Sequence, residues 1–384
     1  DVYKRQLLVF LLPVCALVAQ VPIDRPIDLA LDDGNIGIVD QVGNGNDASI
    51  DQQGEDTYSF IMQREVGNTA TVMQTAIDPD ANEVLSIVSQ TGSRNVATVT
   101  QIHTAEWHDP DNLYTGPQGL VEAYVFQTGD DNAATQVQGP DNKLGQVIMI
   151  TDQSGNKNIA EQEQNSYYNE AYINQTGNRG VAKQYQDRGL PVGYIEATSN
   201  LAIIDQGGEE NEAYQVQNGH ANDVYSIQTG KGNYSHQVQG NEDATSWVSF
   251  ALVTQSGDGS AADQTQLGSV NYAVINQTSN GNEAMQYQEN TGSGVNPYHA
   301  SNSAHITQQG GNGNVAEQTQ IIEFDPSPNG GVPDMYPNVG HIFQDGSNNE
   351  AYQTQTGGYN IGIVSQTGNG NIANVTQNQS IITP

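Results

Sequence analysis

The sequence predicts an all-β fold, a two-sheet β-solenoid of about thirteen coils, each of about 22 residues and built from two strand-and-arc units. Three observations predict it. A motif of eleven residues recurs through most of the chain, neighbouring units differ systematically at one position, and all the longer spacings fall in every second unit. A strict short period is the sequence signature of a solenoid, in which each coil stacks on the one before it.

The repeating motif is Gln-x-Gly-x-x-Asn-x-Ala-x-x-x-Gln, and it recurs eighteen times between Gln41 and Gln377. The closing glutamine of one unit often opens the next. Unbroken runs contain Gln41, Gln52, Gln63, Gln74, Gln153, Gln164, Gln175, Gln186, Gln206, Gln217, Gln228, Gln239, Gln255, Gln266, Gln277, Gln288, Gln344, Gln355, Gln366 and Gln377, and single units run from Gln90 to Gln101, Gln127 to Gln138 and Gln309 to Gln320.

Positions five, seven, nine and eleven of a unit, counted from the opening glutamine as zero, share one face of a strand. Position five is Asn in fifteen of eighteen units, and position seven is small in all but one. We expect this face inside, because small residues let two sheets approach and stacked Asn and Gln side chains can hydrogen-bond to the same residue one coil above and below. The predicted asparagine ladder includes Asn46, Asn95, Asn132, Asn158, Asn169, Asn211, Asn222, Asn233, Asn271, Asn282, Asn349, Asn360 and Asn371.

Glycine at position two predicts a tight arc with unusual backbone dihedral angles, which glycine adopts without strain. These arc glycines include Gly43, Gly92, Gly129, Gly155, Gly177, Gly219, Gly230, Gly268, Gly346, Gly357 and Gly368.

Position nine distinguishes odd from even units, numbered from the unit that opens at Gln41. Nine odd units have glutamine there, whereas nine even units have Ile or Val. One coil is therefore two units, and an aliphatic ladder in one sheet should face a glutamine ladder in the other. The glutamines are Gln136, Gln162, Gln184, Gln215, Gln237, Gln264, Gln286, Gln318 and Gln353; the aliphatic residues are Ile61, Val88, Val125, Ile173, Ile204, Val253, Ile275, Ile342 and Val364.

Seven spacings exceed eleven residues, and every one is an even unit, so the insertions should all leave the solenoid along one edge. Apart from the N-terminal segment and Pro384, proline occurs only in these insertions, as expected for a residue that cannot donate to a strand ladder. The insertion prolines are Pro79, Pro110, Pro117, Pro140, Pro191, Pro297, Pro326, Pro328, Pro333 and Pro337.

The N-terminus predicts export. Lys4 and Arg5 followed by an apolar run are typical of a secretory signal, which we place at residues 1–19. Residues 20–33 form an N-terminal segment that we interpret as export-targeting, and residues 34–384 form the repeat domain. Cys15 is the only cysteine and lies in the signal, and the net charge of -33 argues against nucleic acid and anionic membranes as partners. We expect no membrane span in the mature chain.

The motif is similar to the curlin repeat of curli fibre subunits, which are secreted bacterial functional amyloids. The units Gln90–Gln101 and Gln153–Gln164 match it position by position. The resemblance implies an extracellular subunit that crosses the outer membrane through a dedicated pore, polymerises on a nucleator and forms biofilm matrix for adhesion and colonisation. It also implies that ladder residues such as Gln90, Asn95 and Gln101 stabilise the amyloid. The chain is longer than the usual subunit, so major subunit, nucleator and long variant all stay open.

Other functions find less support in the sequence. No nucleophile, base and orienting group recur together, so we expect neither an enzyme nor a cofactor. The histidines are scattered, and the acidic clusters at 78–82 and 109–112 lack the full calcium-loop pattern, so no metal site is expected. The competing hypothesis is a monomeric extracellular β-solenoid adhesin or stalk that binds ligands through its edge loops; it predicts capped ends, whereas a fibre needs open ones.

Overall fold

The computed structural model describes residues 35–54, 56–76, 84–103, 121–139, 147–165, 169–187, 200–240, 246–291, 301–323 and 337–379. The chain divides into Asp1–Gly34 and Asn35–Pro384. The predicted signal and N-terminal segment, both acidic clusters and every insertion proline except Pro337 lie outside the described residues.

The described residues form strands joined by short arcs. The strands are β1 (Ile36–Asn44), β2 (Asp47–Gln53), β3 (Thr57–Val66), β4 (Thr69–Ala76), β5 (Val84–Thr91), β6 (Val96–His103), β7 (Val121–Thr128), β8 (Ala133–Gln138), β9 (Val147–Ser154), β10 (Ile159–Gln164), β11 (Asn169–Gln175), β12 (Val181–Asp187), β13 (Asn200–Gln206), β14 (Glu212–His220), β15 (Asp223–Gln228), β16 (Tyr234–Gln239), β17 (Ser246–Trp247), β18 (Phe250–Gln255), β19 (Ala261–Leu267), β20 (Asn271–Gln277), β21 (Glu283–Thr291), β22 (Asn302–Gly310), β23 (Val315–Glu323), β24 (Asn338–Gly346), β25 (Glu350–Gly357), β26 (Ile361–Thr367) and β27 (Ile372–Gln379).

The strands alternate between two parallel sheets. One sheet has 13 strands, in the order β1-β3-β5-β7-β9-β11-β13-β15-β18-β20-β22-β24-β26. The other, the 14-stranded sheet, has the order β2-β4-β6-β8-β10-β12-β14-β16-β19-β21-β23-β25-β27, with β17 paired to β14 outside this path. Each coil therefore contributes one strand to each sheet, which confirms the predicted two-sheet solenoid of thirteen coils.

The insertions confirm the predicted single edge. All seven lie between a strand of the 14-stranded sheet and the next strand of the 13-stranded sheet, for example between β4 and β5 or between β23 and β24. The opposite arcs, from the 13-stranded to the 14-stranded sheet, keep a near-constant length. This regularity lets the same position of successive coils remain in register.

The core lies between the sheets and follows the predicted parity. In the first coils, Ile61, Val72, Val88 and Val99 have no exposed surface and pack in one apolar cluster with small residues such as Ala97. Three early insertion units differ from the motif, because Val84, Val121 and Val147 occupy the position that asparagine holds in later strands of the same sheet. The early core is therefore more apolar than the later core, and a ladder of position-nine glutamines replaces part of the apolar packing from Gln136 onward.

One predicted unit has the wrong register. The sequence places Gln309 in the ladder because Gln320 follows it eleven residues later, but the structure pairs Gln308 with Gln277 and Gln344. Gln308 is fully buried, whereas Gln309 is only partly buried and pairs with Asp345. The arc before Asn314 contains one extra residue, and the ladder keeps its register because burial and hydrogen bonding fix the glutamine inside.

The arc glycines are required mainly by the next coil. Gly92 has a φ of 114°, and a Cβ there would collide with the backbone carbonyl of Gly129. Gly177 lies outside the left-handed region, but a Cβ on it would collide in the same way with the carbonyl of Gly208. The prediction of unusual dihedrals is therefore wrong for Gly177 and also for Gly230; close approach of stacked backbones is the shared reason for glycine.

Candidate functional site

A continuous glutamine ladder runs through the 13-stranded sheet. In each coil the glutamine Nε2 donates to Oε1 of the glutamine in the next coil, at 2.6 to 2.9 Å. We call it the first ladder. Its members are Gln41, Gln63, Gln90, Gln127, Gln153, Gln175, Gln206, Gln228, Gln255, Gln277, Gln308, Gln344 and Gln366.

The 14-stranded sheet contains a second ladder with one break. Its bonds measure 2.6 to 3.0 Å, but Gln138 donates to the carbonyls of Glu122 and Val147 and not to Gln164. Gln164 Oε1 is consequently buried without a hydrogen-bond partner. The members are Gln52, Gln74, Gln101, Gln138, Gln164, Gln186, Gln217, Gln239, Gln266, Gln288, Gln320, Gln355 and Gln377.

The position-nine glutamines form a third ladder, as the alternation predicts. Nine side chains from Gln136 to Gln353 are joined by bonds of 2.8 to 3.2 Å. The ladder stops where the neighbouring coil has valine: Val99 lies beside Gln136, and Val375 lies beside Gln353. Gln136 Oε1 and Gln353 Nε2 are left buried without a partner, which shows how much each amide depends on an amide in the next coil.

The glutamines also join the two sheets, which the sequence did not predict. Gln90 Nε2 donates to Thr69 O across the core at 3.1 Å, and Gln215 Nε2 donates to Ile203 O at 2.9 Å. The amides of Gln90 and Gln215 thus bond both along the stack and across it. Because the second bond depends on the distance between the sheets, no residue pattern in the sequence reveals it.

The asparagine ladder differs from the prediction. Asparagine side chains bond mainly to the backbone of the next coil and less often to the next asparagine side chain. Asn95 Oδ1 accepts from Asn132 N at 3.0 Å, and Asn95 Nδ2 donates to Gly129 O at 2.7 Å. The short asparagine side chain sits at the arc, where it satisfies backbone groups that turn away from the strand pairing.

Ion pairs on the surface also join neighbouring coils. Arg64 Nη2 lies 2.7 Å from Asp40 Oδ2, and Lys183 Nζ lies 2.7 Å from Glu161 Oε2. The hydrogen bond from Arg64 lowers the pKa of Asp40. Exposed pairs contribute little stability each.

The two outer faces are chemically different, and the sequence analysis missed this. One row on the outside of the 13-stranded sheet is apolar or aromatic in eleven coils and histidine in two. The signal was present at position eight of the even units. The row consists of Ile38, Phe60, Ile87, Tyr124, Ile150, Tyr172, Ile203, Tyr225, Leu252, Val274, His305, His341 and Ile363.

Acidic residues beside this row have raised pKa values because of burial. Burial raises the pKa of Asp152 and Asp205, and burial followed by the charge of Glu170 raises the pKa of Asp223 to about 6. Asp223 lies between Leu201 and Phe250 of the neighbouring strands, and neither of these apolar side chains can offer the Asp223 carboxyl a charge or a hydrogen bond. The folded chain therefore holds a proton on Asp223 at a pH where the unfolded chain has lost it.

We expect Asp223→Asn to stabilise the monomer above pH 6, by at most about 3 kcal/mol. A raised carboxyl pKa means that wild-type stability rises as pH falls from about 6 towards the ordinary value of 3.8. The difference between variant and wild type should then vanish below that value. Urea unfolding from pH 8 to pH 4 measures it, with exposed Asp51→Asn as control; a pH-independent difference would contradict the assignment.

The described residues contain no group of three or more His, Cys, Asp or Glu side chains that could hold a metal ion. In the same part of the chain no helix is long and apolar enough to cross a membrane. No family model matches the chain, and no curated protein matches it.

Proposed function

We propose that the chain is a secreted structural subunit of curli-like amyloid fibres, which assembles by end-to-end stacking of its coils. The observation that carries the proposal is that both glutamine ladders reach both ends and stop with unused groups. Gln41 Oε1 accepts no hydrogen bond from the described residues, and Gln366 Nε2 donates only to Glu350 O. Every interior member of the first ladder accepts from one glutamine and donates to another.

The strand edges support the same proposal. β1 and β2 at one end, and β26 and β27 at the other, each pair with a strand on one side only within the described residues. An unpaired edge exposes backbone donors and acceptors that can template another strand. Stacked amide ladders of this type are a stabilising feature of amyloid. A second copy would supply both the missing backbone pairs and the missing amide partners.

The context of assembly follows from the resemblance to curlin repeats and from the charge. We infer an extracellular, cell-surface fibre in biofilm matrix that serves adhesion and colonisation, exported through a secretory signal and an outer-membrane pore, with a nucleator subunit as a further partner. The net charge of -33 keeps unassembled chains apart and makes nucleic acid an unsuitable partner.

One observation favours a second candidate, a monomeric extracellular adhesin or stalk. All seven insertions leave along the same edge, and such a row of loops is a frequent arrangement of ligand-binding segments in solenoids. This candidate requires the end coils to stay unpaired.

Fibre growth of the purified, signal-free chain tests the two against each other. We expect thioflavin-positive fibres after a lag phase that preformed seeds abolish. Growth should quicken with added salt or as pH falls towards the pI of about 4.1, because both reduce acidic repulsion. A chain that stays monomeric for days, seeded and unseeded and at both pH extremes, would leave the adhesin as the better account.

A further inference from the structure

The first and last coils are near copies of each other. Residues 35–52 and 360–377 align without a gap, with twelve of eighteen residues identical. The first coil shares only five of eighteen with residues 57–74, on which it stacks, and the last shares eight of eighteen with residues 338–355, on which it stacks. The two coils farthest apart in the stack are therefore more alike than coils in contact.

The shared residues are those that stacking uses. On the inner face, Gly37 and Val39 of the first coil correspond to Gly362 and Val364 of the last. Outside the 13-stranded sheet both coils have isoleucine at the same two positions, and Ile361 and Ile363 are 66% and 72% exposed. If the last coil were followed by a first coil, the first and second glutamine ladders and the apolar outer row would continue in register.

The differences between the two coils concern charge. Asp40, Asp47 and Asp51 of the first coil correspond to Ser365, Ile372 and Thr376 of the last. After Glu350 the sequence contains no charged residue and no histidine, although the whole chain has a net charge of -33. The acidic end would thus meet a neutral end, with no carboxylate opposite a carboxylate.

The direction of the ladders selects the same pairing. Nε2 always donates towards the C-terminal end, so the last coil offers the donors of Gln366 and Gln377 and the first coil offers the acceptors of Gln41 and Gln52. Two last coils would place donor against donor. Two first coils would place acceptor against acceptor and three aspartates against three.

We infer that the last coil is a built docking surface for the first coil of a second copy of this chain, in one register and one direction. Gln366 Nε2 donates to Gln41 Oε1 of the second copy, Gln377 Nε2 donates to Gln52 Oε1, and Thr376 lies one strand spacing, about 4.8 Å, from Asp51. The inference rests on the proposed fibre and adds its partner surface, register and polarity.

Thr376→Asp tests the register. It places a carboxylate beside Asp51 of the next copy, so growth of the variant on its own seeds should be roughly tenfold slower at low salt. High salt should reduce the difference in growth rate between this variant and the wild type, because salt screens the repulsion between the two carboxylates. The matched control is Thr319→Asp. Thr319 lies in register with Thr354 and Thr376 on the 14-stranded sheet, two strands before Thr376, so the variant adds the same charge away from the end of the stack. We expect the control to grow within about twofold of wild type, since its charge touches no junction.

The rescue is Asp51→Lys in the Thr376→Asp chain. A lysine beside the new aspartate should restore growth to within about twofold of wild type, because the junction then holds an opposite-charge pair. Circular dichroism and urea unfolding of each monomer check that folding is unchanged. Equal growth rates for Thr376→Asp and Thr319→Asp, or a failure of Asp51→Lys to restore growth, would overturn the inferred docking of the last coil on the first. In either case, fibres formed by the wild-type chain would leave the proposed function standing. Absence of wild-type fibres would instead remove the proposed function.

Discussion

Gln308→Leu is expected to lower the free energy of unfolding by about 2 to 5 kcal/mol, because a leucine leaves two buried amides without a ladder partner. Gln277 Nε2 loses its acceptor at 2.9 Å, and Gln344 Oε1 loses its donor at 2.9 Å. The same mismatch in the fibre should slow seeded growth, since each added copy must bury it. Urea unfolding of the monomer and thioflavin-monitored growth measure the two effects.

Gln309→Leu is the matched control for this change. Gln309 follows immediately in the chain, lies outside the ladder and makes only a 3.5 Å contact from Nε2 to Asp345. We expect a change of no more than about 0.5 kcal/mol. The pair compares the same substitution at adjacent residues, so equal losses would contradict the register with Gln308 inside. Gln217→Leu, which removes the bond to Gln239 Oε1, should reproduce the larger loss.

Gly92→Ala is expected to have the other large effect, a loss of about 3 kcal/mol or more. The substitution combines a backbone φ of 114°, which alanine rarely adopts, with a Cβ that would collide with the Gly129 carbonyl of the next coil. A backbone atom cannot rotate away, so the stacked coils must separate locally. We expect a lower urea midpoint and slower fibre growth.

Gly259→Ala separates the two causes. Gly259 also has a positive φ, 63°, but a Cβ there would meet no heavy atom within 4 Å. Only the left-handed conformation is then penalised, at about 1 to 2 kcal/mol. If the two variants lose the same stability, the close approach of stacked arcs contributes nothing, and the account of the arc glycines is wrong.

Most of the fold could be predicted from the period of the repeat, because every coil must present the same residues to the next. Asn95, Ala97, Val99 and Gln101 are all fully buried, as their shared parity predicts. The switch from Val99 to Gln136 at position nine marks where the third ladder begins, and the structure begins it there. The resemblance to curlin repeats stays a hypothesis about function.

Register and contact geometry were less accessible to sequence reasoning. An eleven-residue spacing favoured Gln309, but arcs accept an extra residue and the buried ladder does not, so the fold selected Gln308. The backbone partners of Asn95 and the cross-sheet bond of Gln90 depend on where the next coil lies. The amino-acid sequence does not specify the distance between one coil and the next.

By itself the sequence determined the coil length, the inward face, the alternation of the sheets and the single edge of the insertions, because these follow from periodicity and from what a strand can bury. Only the tertiary structure decided the direction of the ladders, the orphaned ends at Gln136 and Gln353, and the clash behind Gly92. Those properties arise between coils that are one full turn apart in the chain, where hydrogen bonds and backbone contacts are set by stacking and not by local residue preference.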